Sequence, residues 1–402
     1  MSLDPEMLLQ RAPNVAFRVD SSNYVCIDAP EGEILCGPHG LAVLETFASP
    51  ITFHAALASL SQRTTGTQDW IALTSTIVQL HEKGILRDLA HALPAVVDGD
   101  GFDAAPIHTR MLNDYERTDQ FIAGLDDSVK IGDVVLDIGT GTGVLSIAAA
   151  RAGARHVYAV EASSIGPCAK AVFEANGLSE RITLVPGWST SVELPEQADV
   201  LVTETIGNEP LGERLLEIVL DARQRLLKPG ATILPSRLRI MALALSVPDS
   251  ILAEYTFVPS CVEDWKTRYN IDFTPLVEAA ARVPHSFYVK PHRAQTWSAL
   301  AEPMILSEIN LSTVDTLRIE STVTVPASQA GRLSGIMVYS DIELGEGRWL
   351  SRHPAAAGEL CSWRSPIWPV AEPLTLAEGD AISVTYRYRV PGTDDSVQVT
   401  RA

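Results

Sequence analysis

The stretch Val134-Val-Leu-Asp137-Ile-Gly139-Thr-Gly141-Thr-Gly143 decides the fold, because it leads an apolar strand into a glycine-rich turn. An alanine-rich segment, Val144–Ala152, has the composition of a helix and follows the turn directly. In such a strand–turn–helix unit the glycines let a ligand approach the backbone, and the first helical turn offers free N–H groups. We therefore predict a ligand site at the carboxyl end of the strand Val134–Ile138.

Strands and helices alternate downstream of this turn. We predict strands at residues 157–160, 182–185, 200–203 and 232–234, a helix at 163–176 that ends at Gly177, an amphipathic segment at 210–227, and a turn at Lys228-Pro229-Gly230. Because alternating elements build a parallel sheet with helices on both faces, residues 107–235 are predicted to form an α/β domain.

The spacing of the glycines bears on the identity of the ligand. Dinucleotide-binding turns follow G-x-G-x-x-G, whereas here the glycines are each two residues apart and Val144 stands where the third would be. The pattern D-x-G-x-G-x-G instead resembles the first motif of S-adenosylmethionine-dependent methyltransferases. Glu161, at the end of the next strand, is placed to accept hydrogen bonds from both ribose hydroxyls. A glycine turn that serves only strand-to-helix packing is the alternative.

Composition limits the class of protein. The 402 residues exceed one ordinary core, and a formal net charge of −19 argues against nucleic-acid binding, which needs a basic surface. Acidity attracts cationic substrates, although it also serves solubility alone. No apolar run approaches the roughly 20 residues of a membrane span, and no secretory signal is visible, so we expect a cytoplasmic protein. The cysteines include no CxxC pair, so neither disulfides nor a metal site are predicted.

Several ordered motifs in residues 107–402 resemble the protein arginine methyltransferase family. They are Ile107-His108, Met111-Leu112, Asp114 and Arg117, then residues 135–143, 157–165, 193–195, 203–213 and 227–230. The resemblance implies a Rossmann-like methyltransferase domain at 107–235 that binds S-adenosyl-L-methionine, followed by an antiparallel β-barrel at 236–402. The cofactor-binding residues that it implies are His108, Met111, Arg117, Asp137, Gly139, Gly141, Gly143, Glu161, Ala162 and Thr190.

Two glutamates, Glu204 and Glu213, stand nine residues apart, as the family's catalytic pair does. Two carboxylates can clamp one planar cation with fork-like hydrogen bonds and so orient a guanidinium nitrogen toward the methyl group. The alternative for Glu213 is a solvated carboxylate on the following helix, and a third acid, Glu209, shows that acids are common in this segment.

The C-terminal segment has a different pattern. Alternating runs at residues 238–245, 317–325, 336–342 and 381–390 predict antiparallel β structure. One interruption, about residues 249–285, contains a stretch at 265–273 that resembles the family's helical arm. That arm docks on a second subunit, so the resemblance implies a homodimer, and a surface excursion without a partner is the alternative.

Other positions depart from the family pattern. Cys361-Ser362-Trp363 stands where the family has Thr-His-Trp, so Ser362 replaces the histidine expected to pair with Asp114; the resemblance places Asp114, Ser362 and Trp363 at the substrate. Thr190 falls where an adenine-binding glutamate is expected, and Thr205-Ile206-Gly207-Asn208 replaces Trp-Met-Gly-Tyr. The acceptor is therefore open: arginine, another peptide group (amide, hydroxyl or terminal amine), or none, in a non-catalytic regulatory relative.

Residues 1–92 resemble, more weakly, the small winged-helix-like α+β peptide-chaperone domains related to PqqD. Predicted strands at 14–19 and 24–27 precede helical segments at 40–47, 52–61 and 69–83 and a possible strand at 85–86, and residues 93–106 form a predicted linker. Such domains hold a leader peptide at a sheet edge, which implies arginine methylation of a ribosomally made precursor peptide. The acidic balance disfavours a DNA-binding winged helix, and a packing or oligomerisation domain is the other alternative.

Overall fold

The computed structural model describes residues 4–12, 15, 17–19, 24–29, 32–37, 39–83, 85–88, 101–257, 259–280, 285–389 and 395–402. The chain forms two compact units. The first comprises residues 1–109, 139–147 and 158–192, and the second comprises residues 110–138, 148–157 and 193–402.

The N-terminal part of the first unit contains short strands and three helices. Its elements are β1 (Leu8–Arg11), β2 (Phe17–Val19), β3 (Val25–Ala29), β4 (Gly32–Cys36), α1 (Gly40–Thr46), β5 (Ile51–Thr52), α2 (Phe53–Ser61), α3 (Thr67–Glu82) and β6 (Leu86–Asp88). Strands β2, β3 and β4 form one antiparallel sheet, and the order β5-β1-β6 forms another. Leu44, Phe47, Leu73 and Ile77 from the helices are fully buried beneath them. Most of the predicted linker, residues 93–100, lies outside the described residues.

The parallel sheet follows. After a short 3₁₀ turn at Gly101–Asp103 the elements are α4 (Ala105–Leu112), α5 (Tyr115–Ser128), β7 (Val134–Ile138), α6 (Val144–Ala152), β8 (His156–Glu161), α7 (Gly166–Ala175), β9 (Ile182–Pro186), β10 (Ala198–Thr203), α8 (Leu215–Arg225) and β11 (Leu227–Leu234). The strand order is β11-β10-β7-β8-β9. All five residues of β7 are buried, which explains why this strand reads as a continuous apolar run around Asp137.

Within the second unit, the pairing of β10 fixes the edge of the sheet. Thr203, the last residue of β10, lies opposite Ile138, the last residue of β7, and its Oγ1 donates a 3.0 Å hydrogen bond to the Ile138 carbonyl. The predicted turn at residues 228–230 lies within the bounds of β11, but its residues are not paired with β10: the partners step from Ala198–Leu227 directly to Val200–Thr232. Gly230 has a φ of 78°, so these residues form an irregularity in the strand, and pairing with β10 resumes along the predicted strand at residues 232–234.

The rest of the second unit is antiparallel. Its elements are β12 (Arg237–Ser246), α9 (Asp249–Tyr255), α10 (Pro259–Tyr269), α11 (Thr274–Ala280), β13 (Phe287–Val289), a 3₁₀ turn (Pro291–Thr296), β14 (Ser298–Ala299), β15 (Met304–Asn310), β16 (Ile319–Pro326), β17 (Gly331–Glu343), β18 (Trp349–Ser351), β19 (Ser365–Leu376), β20 (Ala381–Tyr388) and β21 (Ser396–Arg401). One sheet has the order β13-β19-β17-β12-β14, with β15 on β12 and β18 on β17, and a second has the order β16-β20-β21. Alternate residues of β20 are buried, as its sequence pattern predicts.

None of the helices in the described part of the chain is long and apolar enough to cross a membrane.

Candidate functional site

The glycine-rich turn in the first unit combines a packing role with an open backbone. Gly139, Gly141 and Gly143 have φ values of 77°, 55° and 87°, in the left-handed region that glycine adopts without strain. A Cβ on Gly143 would lie 2.3 Å from the ring of Phe173, whereas a Cβ on Gly141 would lie 3.7 Å from the ring of His108. Packing therefore requires glycine at Gly143, while Gly141 leaves room for a ligand.

Glu161, at the end of β8, holds the same turn in place. Its Oε2 accepts a 2.7 Å hydrogen bond from the Gly141 N–H, and its Oε1 accepts one of 2.8 Å from the Ser163 N–H. Since each carboxylate oxygen has two lone pairs, both oxygens keep acceptor capacity for ribose hydroxyls. The side chain thus fixes the backbone of the turn and also fits the ligand role predicted for it. Ala162 follows directly and is partly buried.

The other residues of the first unit that sequence assigned to the cofactor lie on short segments. The Nε2 of His108 lies 2.7 Å from the carbonyl oxygen of Phe102, so this imidazole is anchored to the 3₁₀ turn. The Asp103 carboxylate accepts a 2.6 Å hydrogen bond from the Ser164 N–H. Thr190 is exposed in the turn after β9, and the structure gives it no anchoring contact of this kind.

Arg117 of the second unit is paired with a predicted catalytic acid. Its Nη1 lies 2.6 Å from Glu204 Oε2, and its Nη2 donates a 2.9 Å hydrogen bond to the Met111 carbonyl. Both side chains of the pair are less than a tenth exposed. Asp137, fully buried at the end of β7, adds a negative charge that Glu204 senses. Arg117 therefore orients Glu204, and its contact with the cofactor stays a prediction.

Asp114 and Ser362 meet as the resemblance implies, with a hydroxyl in place of an imidazole. Ser362 donates to Asp114 Oδ2 twice, from its backbone N–H at 2.7 Å and from its Oγ at 2.9 Å. The other oxygen of Asp114 accepts a 3.4 Å bond from the Arg117 N–H and so caps α5. The serine holds Asp114 in place but supplies no group that titrates near neutral pH.

The loop of residues 204–213, which we name the acid loop, is held by side chains from the C-terminal part of the second unit. Trp363 Nε1 donates a 2.7 Å hydrogen bond to the Ile206 carbonyl, and Arg352 Nη1 donates one of 3.0 Å to the Gly207 carbonyl. The Tyr388 hydroxyl donates to the Leu211 carbonyl at 3.0 Å. These bonds, made by three distant parts of the chain, give the loop one defined backbone path.

The carboxylate of Glu213, the last residue of the acid loop, lies against the loop backbone at Gly207. A Cβ on Gly207 would lie 3.3 Å from Glu213 Oε1 and 2.9 Å from the Glu209 carbonyl oxygen, so only glycine lets the Glu213 carboxylate lie against the loop backbone. Glu213 is therefore not a solvated carboxylate on α8. Glu209 lies on the same loop, with the Ser286 hydroxyl 3.5 Å from its Oε1.

Burial raises the pKa of all three glutamates of the acid loop above its usual value. It raises the pKa of Glu204 to about 7, with Arg117 and Arg352 opposing the rise, and that of Glu209 to about 7. Burial and then the charge of Glu204 raise the pKa of Glu213 to about 8. Such values suit groups that bind a cation in one protonation state and exchange protons near neutral pH.

Sequence reasoning missed two members of this cluster. Glu209 was noted only as a further acid, although its burial matches that of the other two. Arg352 was not singled out at all, and it lies 145 residues from its hydrogen-bond acceptor Gly207. No local motif marks either residue. Within the described residues, no group of three or more His, Cys, Asp or Glu side chains has the arrangement of a metal site.

Known methyltransferases resemble this chain in sequence. The family model described as "Ribosomal protein L11 methyltransferase (PrmA)" matches residues 114–238. A probable protein arginine N-methyltransferase 6 of Arabidopsis thaliana is 34% identical over 275 residues, which are 66% of this chain and 60% of the relative. Protein arginine N-methyltransferase 2 of Dictyostelium discoideum is 34% identical over 225 residues, 54% of this chain and 42% of the relative. Over these segments the chain is similar in sequence to protein arginine N-methyltransferases.

A solved structure of an arginine methyltransferase supports the same fold. The Trypanosoma brucei PRMT1 enzyme–prozyme heterotetrameric complex with AdoHcy matches with a TM-score of 0.66 and 23% identity, over 75% of this chain and 95% of that chain. This chain thus has the fold that its sequence predicts for residues 107–402, a Rossmann-like domain followed by a C-terminal β-barrel. It spans 60% and 42% of the lengths of the two relatives above. The resemblance of its N-terminal part to peptide-chaperone domains stays a prediction.

Proposed function

We propose that the chain is a methyltransferase that uses S-adenosyl-L-methionine and methylates an arginine side chain in a peptide or protein. The observation that carries this proposal is the acid loop, on which Glu204 and Glu213 are partly buried and electrostatically coupled, with Glu204 paired to Arg117. Paired carboxylates match the planar, bidentate hydrogen-bonding geometry of a guanidinium better than that of an ammonium or a hydroxyl.

The residues of the turn after β7 fit the methyl donor. Gly141 would let its methionine portion approach the backbone, and Glu161 would accept hydrogen bonds from its ribose hydroxyls. When bound, S-adenosyl-L-methionine supplies a methyl group on a positively charged sulfur, which needs no further activation. Catalysis by this chain then consists of positioning and of electrostatic stabilisation.

The acid loop would bind and orient the acceptor. The carboxylates of Glu204 and Glu213 accept N–H bonds from the guanidinium and direct one nitrogen toward the methyl carbon. As the N–C bond forms and the S–C bond breaks, one proton leaves that nitrogen. We assign the proton to the Glu213 carboxylate, because its raised pKa makes it the stronger base of the pair and because Ser362 offers no imidazole.

A methylation assay tests the proposal. The protein is incubated with S-adenosyl-L-methionine and an arginine-rich peptide, and methylarginine is measured by mass spectrometry after hydrolysis. Glu204→Gln and Glu213→Gln should each lower kcat/KM by roughly 100-fold or more, since each removes a charge that acts on the transition state. Glu378→Gln, at an exposed glutamate in a turn of the same unit, is the matched control and should keep the rate.

Other outcomes of this assay favour the alternatives. Equal methylation of a peptide with lysine in place of arginine, or transfer to an amide, hydroxyl or terminal amine, would reject the guanidinium acceptor. Calorimetric binding of the donor without any transfer would favour a non-catalytic regulatory relative.

We further propose that the N-terminal segment, residues 1–92, binds a leader segment of the substrate, which would be a ribosomally made precursor peptide. The outer strands β2 and β4 of its antiparallel sheet offer edges for an added strand, and Leu35 on β4 is 55% exposed. Removal of residues 1–92 should raise KM for a leader-bearing peptide and leave KM for a leaderless one unchanged. An equal change for both peptides would reject this role. A cytoplasmic location stays a prediction.

The arm is the proposed contact between two subunits. The arm carries exposed apolar side chains, among them Tyr269 (56%) at the end of α10, Ile271 (51%) between α10 and α11, and Leu276 (48%) on α11. Exposed apolar side chains grouped on one segment mark an interaction surface. We propose that they dock on a second copy of this chain and form a homodimer.

A further inference from the structure

Arg352 is a buried guanidinium beside the acid loop. The residue is 2% exposed, and it directly follows the last residue of β18. Its Nε donates a 2.8 Å hydrogen bond to Ser340 Oγ, and its Nη1 donates one of 3.0 Å to the Gly207 carbonyl. Its charged carbon lies 5.1 Å from the centre of the Trp363 ring. Among the described residues, its Nη2 has no hydrogen-bond partner.

Buried guanidinium groups are uncommon because losing water around a full charge is costly unless nearby groups compensate. The hydrogen bonds to Ser340 and Gly207 satisfy part of the requirement. The remaining compensation comes from the carboxylates of Glu204, Glu209 and Glu213, each of which interacts electrostatically with Arg352. None of the residues 204–213 of the acid loop is a cation, so Arg352 brings positive charge to the loop from a distant part of the chain.

The charges at the acid loop offset one another only in part. Glu204, Glu209 and Glu213 contribute three negative charges when ionised, and Arg117 and Arg352 contribute two positive ones. Asp114 and Asp137 add further negative charge that acts on Glu204, so the cluster keeps a net negative charge that favours a bound cation. Without Arg352 the negative excess would grow by one, and in a buried site like charges drive proton uptake.

We propose that Arg352 is a positioning residue of the methyl-transfer site, which fixes the backbone of Gly207 and supplies positive charge that partly offsets the three carboxylates of the acid loop. The inference rests on the proposed function, because it assumes that the acid loop binds the acceptor. The contact with Gly207 sets the loop geometry, and the buried charge acts on the three glutamates. Arg352 therefore acts through the glutamates and not on the substrate.

The sign of its effect on protonation follows from charge. Arg352 favours the ionised form of Glu204, Glu209 and Glu213, so its loss raises the pKa of each. The other charged groups that interact electrostatically with the loop glutamates are Arg117, Asp114, Asp137, Asp395 and, for Glu213, Glu204. Arg352 also interacts with Asp341 and Cys361, and His353 acts on Asp341. All of these remain in an Arg352 variant.

The test uses the full chain with Arg352→Met and Arg352→Lys. Glutamate side-chain carboxyls are labelled with ¹³C, and their titration is followed by NMR, with Glu204→Gln and Glu213→Gln to assign the signals. In Arg352→Met the midpoints of the loop glutamates should move up by about one pH unit or more, and kcat/KM below the midpoint should fall about tenfold for each such unit. Arg332→Met, at an exposed arginine paired with Asp249, is the control and should leave the midpoints unchanged.

Arg352→Lys separates charge from geometry. It keeps the positive charge but has no planar fork for Ser340 and Gly207, so the midpoints should stay near those of the unsubstituted protein while kcat falls. This variant also carries the test if Arg352→Met does not fold. Unchanged midpoints in Arg352→Met, or midpoints in Arg352→Lys that rise as far as in Arg352→Met, would overturn the inference.

The NMR readout does not require activity. If the unsubstituted protein transfers no methyl group to arginine but its glutamate midpoints still move in Arg352→Met, the proposed acceptor is wrong and the role of the Arg352 charge at the acid loop stands. If the protein methylates arginine and the midpoints do not move, the acceptor stands and the role of Arg352 is wrong.

Discussion

Alanine substitutions at Gly143 and Gly141 separate the two roles of the glycine-rich turn. At Gly143 (φ 87°) a Cβ would lie 2.3 Å from the ring of Phe173, which is 1% exposed and cannot move aside. At Gly141 (φ 55°) the added carbon would meet the His108 ring at 3.7 Å, an ordinary contact. Both changes place alanine in the left-handed region, and only Gly143→Ala also adds a steric collision.

The expected effects on stability differ accordingly. The left-handed conformation costs alanine roughly 1–2 kcal/mol relative to a right-handed one. Overpacking of a filled core adds about 1–3 kcal/mol at Gly143. Gly143→Ala should therefore lower the free energy of unfolding by about 2–5 kcal/mol and Gly141→Ala by about 1–2 kcal/mol. Urea denaturation followed by circular dichroism measures both values.

Binding of the cofactor should rank the two variants in the opposite way. In Gly141→Ala the added methyl group occupies the space where a ligand would approach the backbone of the turn. Calorimetry should therefore show a large loss of affinity for S-adenosylhomocysteine. Gly143→Ala, studied at a temperature where it stays folded, should bind more tightly than Gly141→Ala. A Phe173→Leu change should recover part of the stability lost in Gly143→Ala, as interacting residues show non-additive effects. Unchanged affinity in Gly141→Ala would refute the ligand role of the turn.

Three further predictions concern the acid loop and the arm. The folded-state pKa values of Glu204 (about 7), Glu209 (about 7) and Glu213 (about 8) are raised, so the folded chain binds more protons than the unfolded chain between pH 5 and 8. The free energy of unfolding should therefore fall as the pH rises through this range. Glu213→Gln should flatten this pH dependence in denaturation experiments. If Glu213 must be ionised to accept the proton, kcat/KM should rise with pH through the same range, and a pH-independent rate would contradict that role. Ile271→Ser, in the arm, should shift the mass measured by light scattering from dimer to monomer, whereas Ile131→Ser, at a 95% exposed position outside the arm, should not.

The elements predicted with most success depend on local periodicity. Strand β7 and helix α6 have the predicted bounds, because a run of buried aliphatic residues followed by glycines and alanines specifies them locally. The predicted turn at residues 228–230 and strand at residues 232–234 are local features as well, since Gly230 has a φ of 78° and pairing with β10 resumes at Thr232. The local sequence does not report that both lie within one strand, because the bounds of β11 depend on its pairing with β10.

The candidate site could be predicted only in part for a related reason. Glu204 and Glu213 are close in sequence, and their spacing was visible. Arg352 reaches the same loop from a distant part of the chain, and nothing in Ser351-Arg352-His353 marks it as buried. Contacts across such separations depend on how the antiparallel sheets pack, which a single sequence does not specify.

The replacement of a histidine by Ser362 and the presence of Arg352 have one physical consequence in common. Ser362 keeps Asp114 in place with two hydrogen bonds but cannot take up a proton near neutral pH. A group that titrates in this range is still present, because burial raises the pKa of Glu213 to about 8. The positive charges of Arg117 and Arg352 oppose that rise and keep it from going further. In the proposed reaction, proton uptake therefore belongs to the acid loop and not to the segment of residues 361–363.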